Sequence, residues 1–433
     1  MTSADTPVTR TASDRSLAER KPAVAACHHR ETCRACGGRD LRRFLALGDQ
    51  PLANAMLSGP EQFDHERYVP LDVFHCAGCG LVQLLDVVDP EVLFGEYLYV
   101  TGTSETIAAH NREYAESVVR RQRLGAGDLV VEIASNDGSL LSCFQPHGVR
   151  VLGIEPARNI AELARQRGIE TVCRFFDRDA GRDLAATHGR ASAIVGNNVL
   201  AHVDDPVGYL SGCADLLADD GLVYIEVPYA QDMLQRGEYD TIYHEHLCYF
   251  SVSSLARIAE AAGLRVVGVD RVAVHGGSIR VRFARASHHA ETVRDLMTTE
   301  EANGVTSYDA WVAFGARAER ARGELRALLE SLRSAGASLA AYGAPAKGNT
   351  LLNYCRIGTD LVPWTVDRNP LKVGLLTPGM HLPVLPVEAV ELRRPDYLLI
   401  LAWNFADEIM RQQRAHAERG GRFVIPVPEP RVA

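Results

Sequence analysis

Lysine is scarce in this 433-residue chain, and no basic face for nucleic acid emerges from a net charge of −9. No apolar run approaches the roughly 18–20 residues that span a bilayer, so no membrane partner is expected. The first twenty residues lack the apolar stretch of a secretion signal. Ten cysteines without such a signal argue for free thiols and metal ligands rather than a disulfide framework. The chain therefore reads as cytoplasmic. Gly-x-Gly-x-x-Gly, a true P-loop and His-Glu-x-x-His are also missing, which removes the usual signatures of dinucleotide, triphosphate and zinc-protease sites.

What is present begins with two matching knuckles, Cys33-Arg-Ala-Cys36 before Gly37 and Cys76-Ala-Gly-Cys79 before Gly80. Four thiolates saturate a tetrahedral zinc ion and leave no open position, so a structural role is expected for Cys33, Cys36, Cys76 and Cys79. The alternative is two redox pairs. Cys27 and His28 break the symmetry and are read as bystanders.

The apolar run Leu129–Ile133 predicts a buried parallel strand, followed by a turn at Asn136–Gly138 and a helix opened by Leu140 and Leu141. A second strand, Val149–Ile154, ends in Glu155, where a carboxylate commonly takes ribose hydroxyls. Ser135 and Asn136 stand where glycines would admit a pyrophosphate, and acidic Glu132 and Asp137 suit a cation. A ligand with a ribose and a positive centre but no phosphate fits S-adenosylmethionine better than NAD. The alternative is an ordinary strand-turn-helix with an acidic tip. Further strands are expected at Thr171–Phe175, Ala191–Val195 and Leu222–Val227, with a hairpin of Arg265–Ala273 and Ser278–Ala284. His202 lies at the mouth of this sheet, before a helix whose start reads as capped by Asp204 and Pro206.

Tyr243-His-Glu-His246 can supply a general base, a partner that raises its basicity and a hydroxyl donor. A strand there would put His244 and His246 on one face and Glu245 opposite. A His-x-His metal site is the competing reading. Further on, Ala337–Tyr342 predicts a strand and Gly343-Ala-Pro-Ala-Lys-Gly-Asn349 a turn into a helix N-terminus, a seat for phosphate. Lys347, Asn349 and, after the strand Tyr397–Leu401, Asn404 are the candidate substrate contacts. A packing-only role for this last unit is the alternative. Helix Ala310–Ser334 is expected to link it to the middle.

The knuckles, Glu132–Gly138, Tyr243–His246, His275–Ser278 and Tyr342–Asn349, in that order, resemble the sugar C-methyltransferases that act on nucleotide-linked keto-deoxysugars in antibiotic pathways. The resemblance runs from about Cys33 to the end of the chain. It implies an α/β protein in which a class I methyltransferase sheet, doubly wound, follows a small zinc-binding domain and precedes a Rossmann-like domain. The expected divisions are a disordered leader at 1–28, then 29–88, 89–300 and 301–433. The implied cofactors are S-adenosylmethionine and structural zinc. The implied substrate is a dTDP-linked 4-keto-deoxysugar, methylated next to the ketone and usually at C3. On this resemblance His246 is the base, Glu245 and Tyr243 orient or tune it, and Tyr97 and His202 face the sugar, with Tyr99 competing for the role of Tyr97. Ser104, Glu132, Asn136, Gly138, Glu155 and Asn197 line the cofactor pocket. A non-sugar keto acceptor and a non-catalytic zinc-and-nucleotide scaffold are the rival readings. A monomer is expected.

Overall fold

A computed structural model describes residues 27–95, 105–272 and 277–433 of the chain. The expected leader lies outside these residues except for its last two positions. There Cys27 and His28 begin strand β1 (Cys27–His29), which pairs antiparallel with β5 (Asp86–Val88). The described chain thus opens with a paired strand inside the stretch expected as leader.

The amino-terminal unit is built on β2 (Leu41–Pro51), β3 (Tyr68–Cys76) and β4 (Val82–Leu84), antiparallel in sequence order. The middle sheet takes β6 (Leu129–Ile133), β7 (Arg150–Ile154), β8 (Thr171–Val172), β9 (Ala191–Asn197), β10 (Leu217–Pro228), β12 (Arg265–Val272) and β13 (Ser278–Ala284). Its order is β12-β13-β10-β9-β6-β7-β8, parallel except for β13, which runs against both neighbours. Every side chain of β6 is buried, Glu132 included, as expected of a strand with both faces covered. The order reverses between β6 and β9, which opens a crevice at their carboxyl ends. This is the class I methyltransferase sheet. Strand β8 ends at Val172, short of the expected Phe175, and Cys173 and Phe175 beyond it are exposed.

The carboxyl-terminal unit contributes β14 (Leu339–Tyr342), β15 (Thr365–Val366), β16 (Val384–Leu385), β17 (Tyr397–Ile400), β18 (Arg422–Ile425) and β19 (Arg431–Val432). Their order is β16-β15-β14-β17-β18-β19, parallel up to the last strand, a Rossmann-like arrangement with its own reversal beside β14.

These units share one apolar core. Leu71 and Val73 of β3, Val131 of β6, Phe250, Trp311 and Leu351 belong to a single buried cluster. Helix Tyr308–Ser334 lies on β2, and a Cβ at its Gly315 would meet the Phe44 carbonyl oxygen at 2.5 Å. Glycine there lets the two backbones touch. The most consequential link is short: β11 (Cys248–Tyr249), from the middle unit, adds to the edge of β4. No helix among the described residues is long and apolar enough to cross a membrane.

Candidate active site

The four knuckle thiols converge, all within 4.8 Å of one another. Gly37 and Gly80 adopt φ of +69° and +73°, and their N–H groups close the two turns onto the carbonyls of Cys33 and Cys76. Sulfur separations of 3.5 Å for Cys33–Cys79 and 3.6 Å for Cys36–Cys76 suit thiolates at about 2.3 Å from one zinc ion. Gln83 Nε2 donates to Cys33 Sγ at 3.2 Å, orienting a ligand from outside the shell. The donor set fits zinc and leaves no position for substrate.

In the crevice of the middle sheet the turn after β6 winds through left-handed residues at Ala134, Asn136 and Gly138. A Cβ on Gly138 would lie 2.8 Å from Ile169 Cγ1. Glu155, at the tip of β7, accepts from the N–H groups of Asn136 and Ala157, both at 2.9 Å. It fastens the turn while keeping lone pairs for a ligand hydroxyl. Burial raises the pKa of Glu155 and drives that of Glu132 well up, the latter aided by nearby Asp137 and Glu155. Glu132 Oε2, Ser135 Oγ and Asn197 Oδ1 are buried without a hydrogen-bond partner among the described residues. Buried polar atoms left without partners in the crevice fit a polar ligand that brings its own hydrogen-bonding groups, as S-adenosylmethionine does. Asp137 departs from expectation: fully buried, it pairs with Arg167 at 2.9 Å, so its charge is already matched inside the protein.

The Tyr243–His246 segment is a turn and not a strand, closed by the His246 N–H on the Tyr243 carbonyl at 2.8 Å. Its side chains therefore diverge. His246 Nδ1 lies 2.9 Å from the Thr241 carbonyl, and Nε2 lies 2.7 Å from Tyr243 Oη. A carbonyl only accepts, so the proton is assigned to Nδ1, and Nε2 is the basic nitrogen. The His202 ring stands edge-on to His246 at 5.0 Å, with Phe94 behind it. Burial drops His202 to a pKa of about 4, so it is neutral at pH 7. His244 turns the other way, to the Val69 carbonyl of β3 at 3.0 Å. That contact removes the shared histidine face and with it the geometry of a His-x-His chelate. Glu245 accepts from Asn54 Nδ2 at 2.6 Å and makes no hydrogen bond to His246.

At the carboxyl-terminal edge of the cleft, the turn after β14 is tied on both sides. Ala344 N–H donates to Asp367 at 2.7 Å, and its carbonyl accepts from Lys372 Nζ at 2.7 Å. Only the first-turn N–H groups of helix Ala346–Tyr354 remain for an anion. Lys347 lies over the Trp403 ring at 5.6 Å, and its charge bears on Asp240 and Glu238. Asn349 is buried, and its Nδ2 is spent on the Ala53 carbonyl at 2.7 Å. Asn404 is half-buried in the turn beyond β17. The structure thus gathers Lys347 and Asn404 near one edge and turns Asn349 into an interdomain tie. Tyr97, Tyr99 and Ser104 lie outside the described residues. Sequence reading passed over Asn54 and Lys372. Asn54 meets Glu245 across 191 positions, beyond any local pattern, and the only trace of Lys372 was the rarity of lysine.

The loop before helix Pro206–Leu216 also differs from expectation. Asp205, not Asp204, caps it through Gly208 N–H at 2.9 Å. Asp204 instead faces the zinc module, where Arg34 and Arg30 pair with it at 2.9 and 3.1 Å.

Sheet order, crevice and thiol cluster together define a class I S-adenosylmethionine-dependent methyltransferase with a structural zinc site. Residues 33–94 match the family described as "Putative zinc binding domain", 107–269 "Methyltransferase domain" and 273–428 "C-methyltransferase C-terminal domain". The chain is 40% identical over 405 residues to C-methyltransferase NovU of Streptomyces niveus, covering 93% of this chain and 96% of that protein. It belongs to the C-methyltransferase family. A ubiquinone biosynthesis O-methyltransferase of Burkholderia pseudomallei is 27% identical over 175 residues, 36% of this chain and 72% of that one. Magnesium protoporphyrin IX methyltransferase from Synechocystis, solved with bound S-adenosylhomocysteine, is 15% identical, with a TM-score of 0.33 over 41% of this chain and 83% of its own.

Proposed function

We propose that this enzyme methylates carbon C3 of a dTDP-linked 4-keto-deoxysugar during biosynthesis of a natural-product deoxysugar. What supports the reading most is the Tyr243–His246 pair, an imidazole whose Nδ1 faces the Thr241 carbonyl and whose Nε2 meets the Tyr243 hydroxyl. The sulfonium of S-adenosylmethionine supplies an electrophilic methyl group. The work left to the chain is to make carbon a nucleophile. A C–H beside a ketone loses its proton to His246 Nε2 once Tyr243 Oη yields that nitrogen, or through the Tyr243 hydroxyl as relay. Tyr243 and Tyr97 then have hydroxyls to offer the enolate oxygen, and neutral His202 fixes one wall. Glu132, Asn136, Gly138, Glu155, Asn197 and Ser104 hold the cofactor. Lys347, Asn404 and the amino end of helix Ala346–Tyr354 receive the diphosphate, with Asn349 bracing that helix against Ala53.

Purified enzyme supplied with methyl-labelled cofactor and a panel of dTDP-4-keto-sugars tests this directly. Label at C3 of one of them is expected. Label only in non-sugar keto acids would move the acceptor, and no transfer at all would leave the scaffold reading.

A further inference from the structure

Arg34 lies between the knuckle cysteines Cys33 and Cys36, and its side chain is fully buried. Nε donates to Asp204 Oδ1 at 3.1 Å, and Nη2 lies 2.9 Å from the same oxygen. Nη1 donates to the Leu84 carbonyl and to Gln83 Oε1, the latter at 3.2 Å. From these two ends a closed circuit of contacts runs through the candidate active site. Leu84 N–H donates to the Leu247 carbonyl at 3.0 Å, and Leu247 N–H donates to the Ala201 carbonyl at 2.7 Å. Leu247 follows His246, Ala201 precedes His202, and Asp204 comes two residues later, where Arg34 closes the circuit. Across it the His202 and His246 rings meet edge-on at 5.0 Å and 86°. We propose that Arg34 is a positioning residue that holds the His202 ring against His246, with Asp204 as its grip on the His202 turn. This rests on the reading of His246 as base and His202 as a wall of the substrate site.

The grip calls for a guanidinium. A buried cation needs several acceptors at once, and the planar fork aims fixed donors at Asp204, Leu84 and Gln83 together. A lysine ammonium would keep the charge but not the fork. Arg30 shares the Asp204 group, 3.1 Å from Oδ2 and 3.2 Å from the carbonyl, with a quarter of its side chain exposed. His28 stands 3.6 Å away and is more exposed still. Of the three side chains around Asp204, Arg34 is the one that joins it to Leu84. Asp205 caps the next helix, which frees Asp204 for this contact. Placement matters here because an error of about 1 Å in a reacting group can cost roughly 10²-fold in rate.

The test uses the whole enzyme carrying isotope-labelled histidine. In Arg34→Met, kcat should fall roughly 10–100-fold while zinc stays stoichiometric and S-adenosylhomocysteine affinity stays within about twofold. In its nuclear magnetic resonance spectrum the His202 and His246 signals should shift, and the cross-peak between their rings should weaken. His416 of the carboxyl-terminal unit, which faces the Arg422 carbonyl, should stay in place. Arg34→Lys should recover part of both the rate and the ring signature. If Arg34→Met does not fold, Asp204→Asn carries the test, since it leaves the knuckle and the bonds of Arg34 to Leu84 and Gln83 intact. The same changes are expected there, to a smaller extent. Wild-type kcat with unmoved His202 and His246 signals in zinc-loaded Asp204→Asn would overturn the inference. So would a loss of kcat that only follows loss of zinc, or one in which neither ring moves. Full activity in His246→Asn would instead remove the base on which the inference rests, while the ring shifts in Arg34→Met would still be seen.

Discussion

Gln83 and Cys248 face one another across the antiparallel pair of β4 and β11, and that pair ties the thiol cluster to the Tyr243–His246 turn. The Gln83 side chain donates to Cys33 Sγ while its backbone holds the strand that begins two residues after His246. The thiol cluster is thereby linked, through β4 and β11, to the platform from which the turn projects.

Elemental analysis should find one zinc per chain. Stripping it with a chelator, or replacing Cys76 by Ser, should lower stability by several kcal/mol and abolish turnover with it. Thermal unfolding and activity measured on the same samples check this; an active, zinc-free protein would refute the structural role.

On the proposed role of His246 as base, His246→Asn should cut kcat by roughly 10²–10⁴ while cofactor affinity stays within about twofold. Tyr243→Phe should slow turnover less and leave the same affinity. Calorimetric titration with S-adenosylhomocysteine beside steady-state rates separates the two effects. Undiminished turnover in His246→Asn would place the base elsewhere.

Much of this site was written in local pattern. Knuckle spacing marked the thiol ligands, and apolar runs ending in Asn136–Gly138 and Glu155 marked the crevice, because these signals span a turn or a strand. Direction was not so marked. Period-two reading set His244 and His246 on one face, yet a single hydrogen bond from His246 N–H to the Tyr243 carbonyl turns the segment and sends His244 to β3. Asp204 and Asp205 show the same limit. Either can cap the following helix, and the choice is made by Arg34, 170 positions away, which claims Asp204.

That ion pair is itself testable. The Arg34 side chain is fully buried, and Asp204 is about one-third exposed. Asp204→Ala would strand the guanidinium with the Leu84 carbonyl and Gln83 as its hydrogen-bond partners. A loss of about 2–3 kcal/mol is expected, below the full range for a wholly buried pair because Asp204 keeps some solvent. Chemical denaturation measures it, and a change under 0.5 kcal/mol would make the contact incidental.

Gly138 combines φ of +73° with a Cβ position 2.8 Å from Ile169. Gly138→Ala should destabilise by about 1–3 kcal/mol through left-handed strain alone and weaken cofactor binding by shifting the turn that Glu155 holds. Equilibrium dialysis beside denaturation reads both. Unchanged cofactor affinity in a destabilised variant would separate the turn from the pocket.

His244 carries a definite pH signature. Burial lowers its pKa from 6.5 to about 4, so the unfolded chain binds its proton first as pH falls. Stability from this group is therefore complete above about pH 6.5 and is lost progressively down to pH 4, amounting to about 3 kcal/mol. Urea unfolding of the wild type should show that decline, superposed on that of His202, whose pKa is displaced the same way. In His244→Asn, starting stability should be lower because the Val69 contact is remade imperfectly, but the slope between pH 6.5 and 4.5 should be shallower. Parallel slopes in the two proteins would mean that His244 takes its proton inside the fold as readily as outside it, and that the tie to β3 does not hold the ring neutral.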